Sequence, residues 1–159
     1  NIPIVVKISP DIKDENINII AELLLKHNVE AVIISNSTDR NRENLSNINK
    51  LEKGGLSGKP LEKRSNELIN KFYKILKNKI KIIGVGGVDS GKSAYKKIIN
   101  GASLIQLYTG MVYKGPNIAF NISKELIAIL KNEGVKNISE VVGNKNWSWR
   151  ISFDPLYSH

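Results

Sequence analysis

The chain contains no cysteine, which excludes disulfides, thiolate nucleophiles and cysteine metal ligands. Its two histidines, His27 and His159, are far apart, the second at the last position, so an imidazole-based zinc or iron centre is not expected. No apolar run approaches the ~20 residues of a membrane span. The segment from Asn1 has neither an initiator Met nor the charged-then-apolar succession of a signal peptide, so the start reads as a cut and the chain as soluble. Acidic side chains are also in deficit: 24 Lys and Arg against 15 Asp and Glu give a formal net charge of +9. Such an excess raises nucleic acid or anionic lipid as partners. Yet only Arg40, Arg42, Arg64 and Arg150 are arginine, leaving 20 of the 24 as lysines spread along the chain, as a bias toward A-rich codons would produce. No arginine cluster interleaved with aromatics occurs, so a basic nucleic-acid-binding module is the lesser alternative and no nucleic acid is expected.

What is present is enough for one core and too little for two ordinary domains: 159 residues, 41% apolar and 25% charged. The chain is organised around Lys81-Ile82-Ile83-Gly84-Val85-Gly86-Gly87-Val88-Asp89-Ser90-Gly91. The β-branched run reads as a short strand covered on both faces, entering a glycine turn and then a helix. Gly86 and Gly87 lack the Cβ that would keep an oxyanion off backbone N–H groups, so a phosphate is expected there; a plain tight turn is the alternative. One helix later Ser103–Leu107 reads as a second strand, ending in Tyr108-Thr109-Gly110. Two polar strand ends one helix apart fit the last two βα loops of an eight-stranded barrel, which commonly grip phosphate.

Ile4–Ile8 reads as a strand stopped by Ser9-Pro10-Asp11; Lys7 inside it either points to solvent from an edge or is aimed at an anion. Asp14–Asn28 has the spacing of an amphipathic helix, and Ala31–Ser35 is a strand ending in Asn36-Ser37-Thr38. Asp39–Leu56 shows no sustained period and predicts a long loop, a lid or a disordered segment, closed by the Gly/Ser-rich Lys53–Pro60. Helices are predicted over Arg64–Lys77, Ser93–Asn100 and Ile118–Lys131, with a final turn at Ile138–Val142. Four strands, each followed by a helix and each ending in polar groups, give an α/β class of parallel (β/α) units with strand order following chain order. An open four-stranded sheet is possible, but the polar strand ends favour the C-terminal half of a TIM (β/α)₈ barrel.

Five stretches, in this order and spacing, carry a resemblance: Val6-Lys7-Ile8-Ser9-Pro10-Asp11, Ile34-Ser35-Asn36-Ser37-Thr38, Gly54-Gly55-Leu56-Ser57-Gly58-Lys59-Pro60-Leu61, Ile83-Gly84-Val85-Gly86-Gly87-Val88 and Gly101–Thr109. Together they resemble the C-terminal half of class 2 dihydroorotate dehydrogenase, over roughly residues 3 to 143. The resemblance implies an FMN-dependent barrel that oxidises dihydroorotate to orotate in pyrimidine synthesis and hands the electrons to a quinone, with the parent enzyme at the mitochondrial inner membrane. It implies that Lys7 touches the flavin ring, that Ser35 and Gly58 contact the flavin with Ser57 and Gly86 beside them, and that Gly87, Tyr108 and Thr109 hold the FMN phosphate. Asn36 and Ser37 would face the pyrimidine. Another flavin-dependent or phosphate-gripping barrel enzyme is the enzymatic alternative.

The sequence departs from the family where Ser35 and Ser37 stand in place of the commoner threonines; both keep the hydroxyl. No catalytic base is expected within the chain, since the family's base is a serine in the first half of the barrel, upstream of what Asn1 begins. Residues 1–143 are therefore expected to form the second half of an FMN-binding barrel, inactive alone and prone to self-association through unpaired strand edges. Residues 144–159, with Trp147 and Trp149, form a tail without a readable period.

Overall fold

The computed structural model describes residues 2–40, 42–43 and 45–144. Strands β1 (Val5–Ile8), β2 (Ala31–Ile34), β3 (Lys81–Gly84) and β4 (Leu104–Ile105) make one parallel sheet in chain order. Two side-chain rows cross it: Lys7–Ile33–Ile83–Leu104 and Ile8–Ile34–Gly84–Ile105. Because successive Cβ atoms alternate across a strand, these rows lie on opposite faces.

The Ile8 row is the buried one. Ile34 and Val32 are fully buried and Ile82 nearly so, packed beneath α1 (Ile17–Lys26) and α2 (Glu62–Leu76). α1 contributes Ile17, Ala21 and Leu24, and α2 contributes Leu68, Ile69, Phe72 and Leu76, the i, i+3, i+4 spacing that gave both helices away. Fully burying each such side chain stabilises by about 1.5–3 kcal/mol. α2 stops because Lys77 and Asn78 take left-handed conformations.

The Lys7 row is open: Val5 is 44% and Leu104 60% exposed, and Ile83 is half-buried. The expectation of a β3 covered on both faces is therefore corrected. Helices cover one face, while the other is only partly covered among the described residues, with Ala31 buried, Ile33 and Ile83 half-buried, and Val5 and Leu104 exposed.

α3 (Gly91–Ile99) starts two residues earlier than its apolar pattern suggests, because Ser90 and Ser93 form a reciprocal capping box. α5 (Ile118–Asn132) lies against its start, so close that a Cβ on Gly91 would fall 2.3 Å from Glu125 Cβ. Between them α4 (Thr109–Lys114) had not been anticipated. Its counterpart is a shorter β4, two residues where five were predicted, although the Ser103 N–H to the Ile82 carbonyl (2.8 Å) and the Gln106 N–H to the Gly84 carbonyl (2.9 Å) continue its pairing with β3 on either side.

The described residues of the segment from Asp39 to Leu56 have no regular structure apart from a 3₁₀ turn at Ile48–Leu51, but they are tied down. Thr38 and Leu56 pair as an antiparallel bridge. Inside the loop the Arg42 guanidinium donates to the carbonyls of Lys50 (3.1 Å), Glu52 (2.7 Å) and Gly54. Ile138–Val141 forms the expected final turn. Of the predicted tail, only Asn144 falls among the described residues.

Candidate functional site

The C-terminal ends of the four strands meet around a cavity of about 240 Å³. Each wall is built by one βα connection. From β1 comes Lys7, on the open face, exposed and directed to the cavity. The loop after it is held from below by Arg64, which donates to the carbonyls of Pro10 (3.0 Å) and Ile12 (2.7 Å). Asp11 in that loop accepts Thr38 Oγ1–H at 2.5 Å and the Asp39 N–H at 3.1 Å, joining the first two loops.

After β2 the ladder runs on past the strand. Ser35 N–H donates to the Val85 carbonyl (3.3 Å) and Asn36 N–H to that of Ile8 (2.9 Å), and the Ile34–Ser35 peptide is cis. Ser35 is buried, Asn36 exposed and Ser37 half-buried, and all three line the cavity. The Thr38–Leu56 bridge then returns the chain, setting Ser57 and Gly58 against the start of α4. Ser57 Oγ and Thr109 Oγ1 lie 2.9 Å apart, and a Cβ on Gly58 (φ 81°) would fall 2.9 Å from Thr109 Cγ2.

After β3 the turn Gly86 (φ 106°), Gly87 (φ 73°) supplies the facing wall. The physical reason for these glycines differs from the one expected. A Cβ on Gly87 would sit 2.5 Å from Glu62 Cβ and 2.9 Å from Glu62 Cα, and one on Gly86 would sit 3.2 Å from Leu61 Cβ. The missing side chains would thus strike the start of α2, not a molecule in the cavity. After β4, Tyr108, 79% exposed, and Thr109 close the ring.

The sequence-derived site residues Lys7, Ser35, Asn36, Ser37, Ser57, Gly58, Gly86, Gly87, Tyr108 and Thr109 all line this one cavity. Lys59 and Asp89, at its rim, were missed. Lys59 Nζ is 2.7 Å from Glu62 Oε2 and 3.7 Å from Asp89 Oδ1, and its bond to Glu62 raises the ammonium pKa against the effect of burial. Burial pushes the Glu62 carboxyl up, but the Lys59 bond and the Lys96 charge outweigh it, and the net shift is down. Asp89 likewise ends below the usual range: burial raises it, while the hydroxyl of Ser93 and the charge of Lys59 lower it further. The i, i+3 spacing of Lys59 and Glu62 was the available signal. Arg42 and Arg64 had none, since both donate to backbone carbonyls, which no side-chain pattern marks: Arg42 within its own loop and Arg64 in the loop after β1. Among the described residues no cluster of His, Asp and Glu could hold a metal ion, and no helix is long and apolar enough to cross a membrane.

A family model described as Dihydroorotate dehydrogenase matches residues 1–130. A Dihydroorotate dehydrogenase (quinone) from Trichodesmium erythraeum is 44% identical over 154 residues, covering 91% of this chain and 40% of its own length. One from Arabidopsis thaliana, named as mitochondrial, is 43% identical over 142 residues, covering 89% and 31%. Among solved structures, a DHODH from Eimeria tenella in complex with ferulenol superposes with a TM-score of 0.87 at 37% identity, over 91% of this chain and 38% of that one. The chain thus spans about 40% of the length of the first curated relatives it matches, and its four βα units are part of a TIM (β/α)₈ barrel. A match over residues 1–130, with quinone-type relatives from Trichodesmium to Arabidopsis, shows that the chain belongs to the dihydroorotate dehydrogenase family, on its quinone-linked, class 2 side.

Proposed function

We propose that this chain supplies the FMN-gripping wall of a barrel that oxidises dihydroorotate to orotate and passes the electrons to a quinone. The observation that carries the reading is the convergence of ten residues, from four separate βα connections, on one cavity at the C-terminal edge of a parallel sheet. In such sheets that edge is where ligands bind. The donor set fits FMN: a glycine turn with free backbone for a phosphate at Gly86 and Gly87, hydroxyls at Ser57 and Thr109, and an ammonium at Lys7 for an electron-rich ring.

FMN, when bound, supplies the hydride-accepting ring. Gly87, Tyr108 and Thr109 would hold its phosphate through backbone N–H and hydroxyl groups. Lys7 places a cation where negative charge develops, and it does so from a strand rather than a loop, which keeps it preorganised. Asn36 and Ser37 would orient the pyrimidine. At the rim, Ser93 and Lys59 hold the Asp89 carboxyl below its usual range, which makes it a weaker base, and Glu62 keeps Lys59 protonated. In keeping with the family resemblance, the proton acceptor is assigned to another part of the barrel, as are the quinone site and any mitochondrial membrane attachment.

The test compares FMN with riboflavin, which lacks the phosphate, by fluorescence titration of the 159-residue chain. At least tenfold tighter binding of FMN is expected. Equal affinities, or no binding of either, would count against the assignment of the Gly87–Thr109 wall. Joining the chain to the unmatched portion of the Trichodesmium erythraeum relative should then restore dihydroorotate-dependent reduction of a quinone analogue.

A further inference from the structure

Behind the Gly86–Gly87 turn, on the side away from the cavity, lies a buried amine that the reading above does not use. Lys97 of α3 is 0% exposed; its Nζ donates to Ser65 Oγ at 2.9 Å and to Asn66 Oδ1 at 3.1 Å. The stem runs beneath β3, where a Cβ on Gly84 would fall 3.0 Å from Lys97 Cδ, so a glycine leaves room for it. Burial pushes the Lys97 amine down to about 7, with the charge of Glu62 working against the shift and that of Lys59 adding to it. A neutral amine has two N–H groups, and the two acceptors occupy both.

Ser65 is also 0% exposed, and its hydroxyl donates to the Val85 carbonyl at 2.5 Å, with the Ile34 carbonyl at 3.3 Å; the Val85 carbonyl also accepts the Ser35 N–H, at the longer distance of 3.3 Å. A hydroxyl has one hydrogen. Because Lys97 donates to Ser65 Oγ, that hydrogen is left for a carbonyl, and the shorter distance selects Val85. The Val85 C=O and the Gly86 N–H belong to one planar trans peptide, so fixing the first fixes the second in the opposite direction. Val85, Gly86 and Gly87 line the cavity, whereas Ser65 and Lys97 do not.

We propose that Lys97 is a positioning residue for the cavity: through Ser65 it holds the Val85 carbonyl outward and thereby aims the Gly86 N–H inward, toward a bound phosphate. Without the amine, Ser65 loses the contact that fixes its rotamer, and its hydrogen can alternate between Val85 and Ile34. A burial-matched lysine here serves the ligand wall, not merely the packing of α2 on α3. Only the identity of the ligand rests on the FMN assignment.

The experiment labels the glycines of the 159-residue chain with ¹⁵N and follows the Gly86 and Gly87 amides in Lys97→Met, Ser65→Ala and the double variant, first without ligand and then with FMN and inorganic phosphate. Lys97→Met keeps the stem and removes both N–H groups. The expected result is a shifted, broadened Gly86 resonance in each single variant, ligand affinity about tenfold weaker, and a double variant no worse than the poorer single one, as for residues acting in series. Unmoved Gly86 and Gly87 resonances in a folded variant, or additive losses, overturn the proposal. If Lys97→Met does not fold, Ser65→Ala alone decides it by the same resonances. If the unmodified chain binds neither FMN nor phosphate, the FMN assignment fails, while the ligand-free resonances still settle the role of Lys97.

Discussion

Ser57 Oγ lies 2.9 Å from Thr109 Oγ1, although 52 residues separate them. The contact joins the loop returning after β2 to the first residue of α4, and Gly58 beside it has the φ of 81° that lets the two backbones approach. Gly58→Ala should therefore act twice. The left-handed backbone becomes strained, and the new Cβ meets Thr109 Cγ2 at 2.9 Å. A loss of about 1–3 kcal/mol in urea unfolding is expected, together with weaker FMN binding because Thr109 is displaced. Thr109→Val, which keeps the shape and removes the hydroxyl, should weaken FMN with little change in stability.

Gly87→Ala separates two reasons for a glycine. If the residue were needed to let a phosphate approach, alanine would lower FMN affinity and leave the fold intact. The geometry places the added Cβ 2.5 Å from Glu62 Cβ instead, with φ at 73°. A fall of about 2–4 kcal/mol in unfolding free energy is expected, seen as a lower Tm of the ligand-free chain. An unchanged Tm with lost FMN binding would restore the simpler explanation.

The buried amine of Lys97 makes stability depend on pH with a definite sign. Its folded pKa is about 7, below its ordinary 10.5, so the unfolded chain holds the extra proton throughout that interval. Stability should accordingly rise with pH from about 7 toward 10, by at most roughly 1.4 kcal/mol per pH unit. Above pH 10 Tyr95 opposes the trend: burial and the Glu133 carboxylate push its phenol up, so the unfolded chain loses that proton first. Urea titrations at pH 7, 8 and 9 should show the rise in the unmodified chain and its absence in Lys97→Met.

The parts of this molecule legible in its sequence are those set by local pattern. The i, i+4 spacing of Leu68, Phe72 and Leu76 gave α2, and the β-branched runs gave four parallel strands in chain order. Polar strand ends such as Ser35–Ser37 and the Gly86–Gly87 turn were readable as candidates from the apolar runs they follow, whereas Lys7, Ser57 and Gly58 were assigned to the cavity by the family resemblance. What escaped depends on contacts distant in sequence. Nothing near Lys97 announces that Ser65, 32 positions earlier, will accept from it. The reason for Gly87 was misjudged for the same cause, since the start of α2 beside it is brought there only by the fold.

Self-association should follow from the partly covered sheet face. Among the described residues, Val5 and Leu104 stand exposed at its two edges, and the edge strands β1 and β4 each pair on one side only. Sedimentation of the 159-residue chain is expected to give a concentration-dependent dimer or larger species, and Leu104→Lys should shift it toward monomer. A monomer at millimolar concentration would contradict this.

Lys7→Ala, made in a completed barrel, should slow reduction of the flavin far more than it weakens FMN binding. The phosphate wall proposed at Gly87, Tyr108 and Thr109 lies on the loops after β3 and β4, while Lys7 comes to the cavity from β1. Removing its ammonium therefore leaves the anchoring wall in place. The interaction that disappears is with charge that develops as the flavin is reduced, so it is stronger in the transition state than with the oxidised cofactor, and only such a difference changes the chemical step. A preorganised charge of this kind contributes on the order of 3 kcal/mol, about a hundredfold in rate. Stopped-flow bleaching of the flavin by dihydroorotate, run beside an FMN-release titration, measures both quantities. A variant that loses its FMN while the remaining holoenzyme is reduced at the normal rate would show that Lys7 only anchors the cofactor.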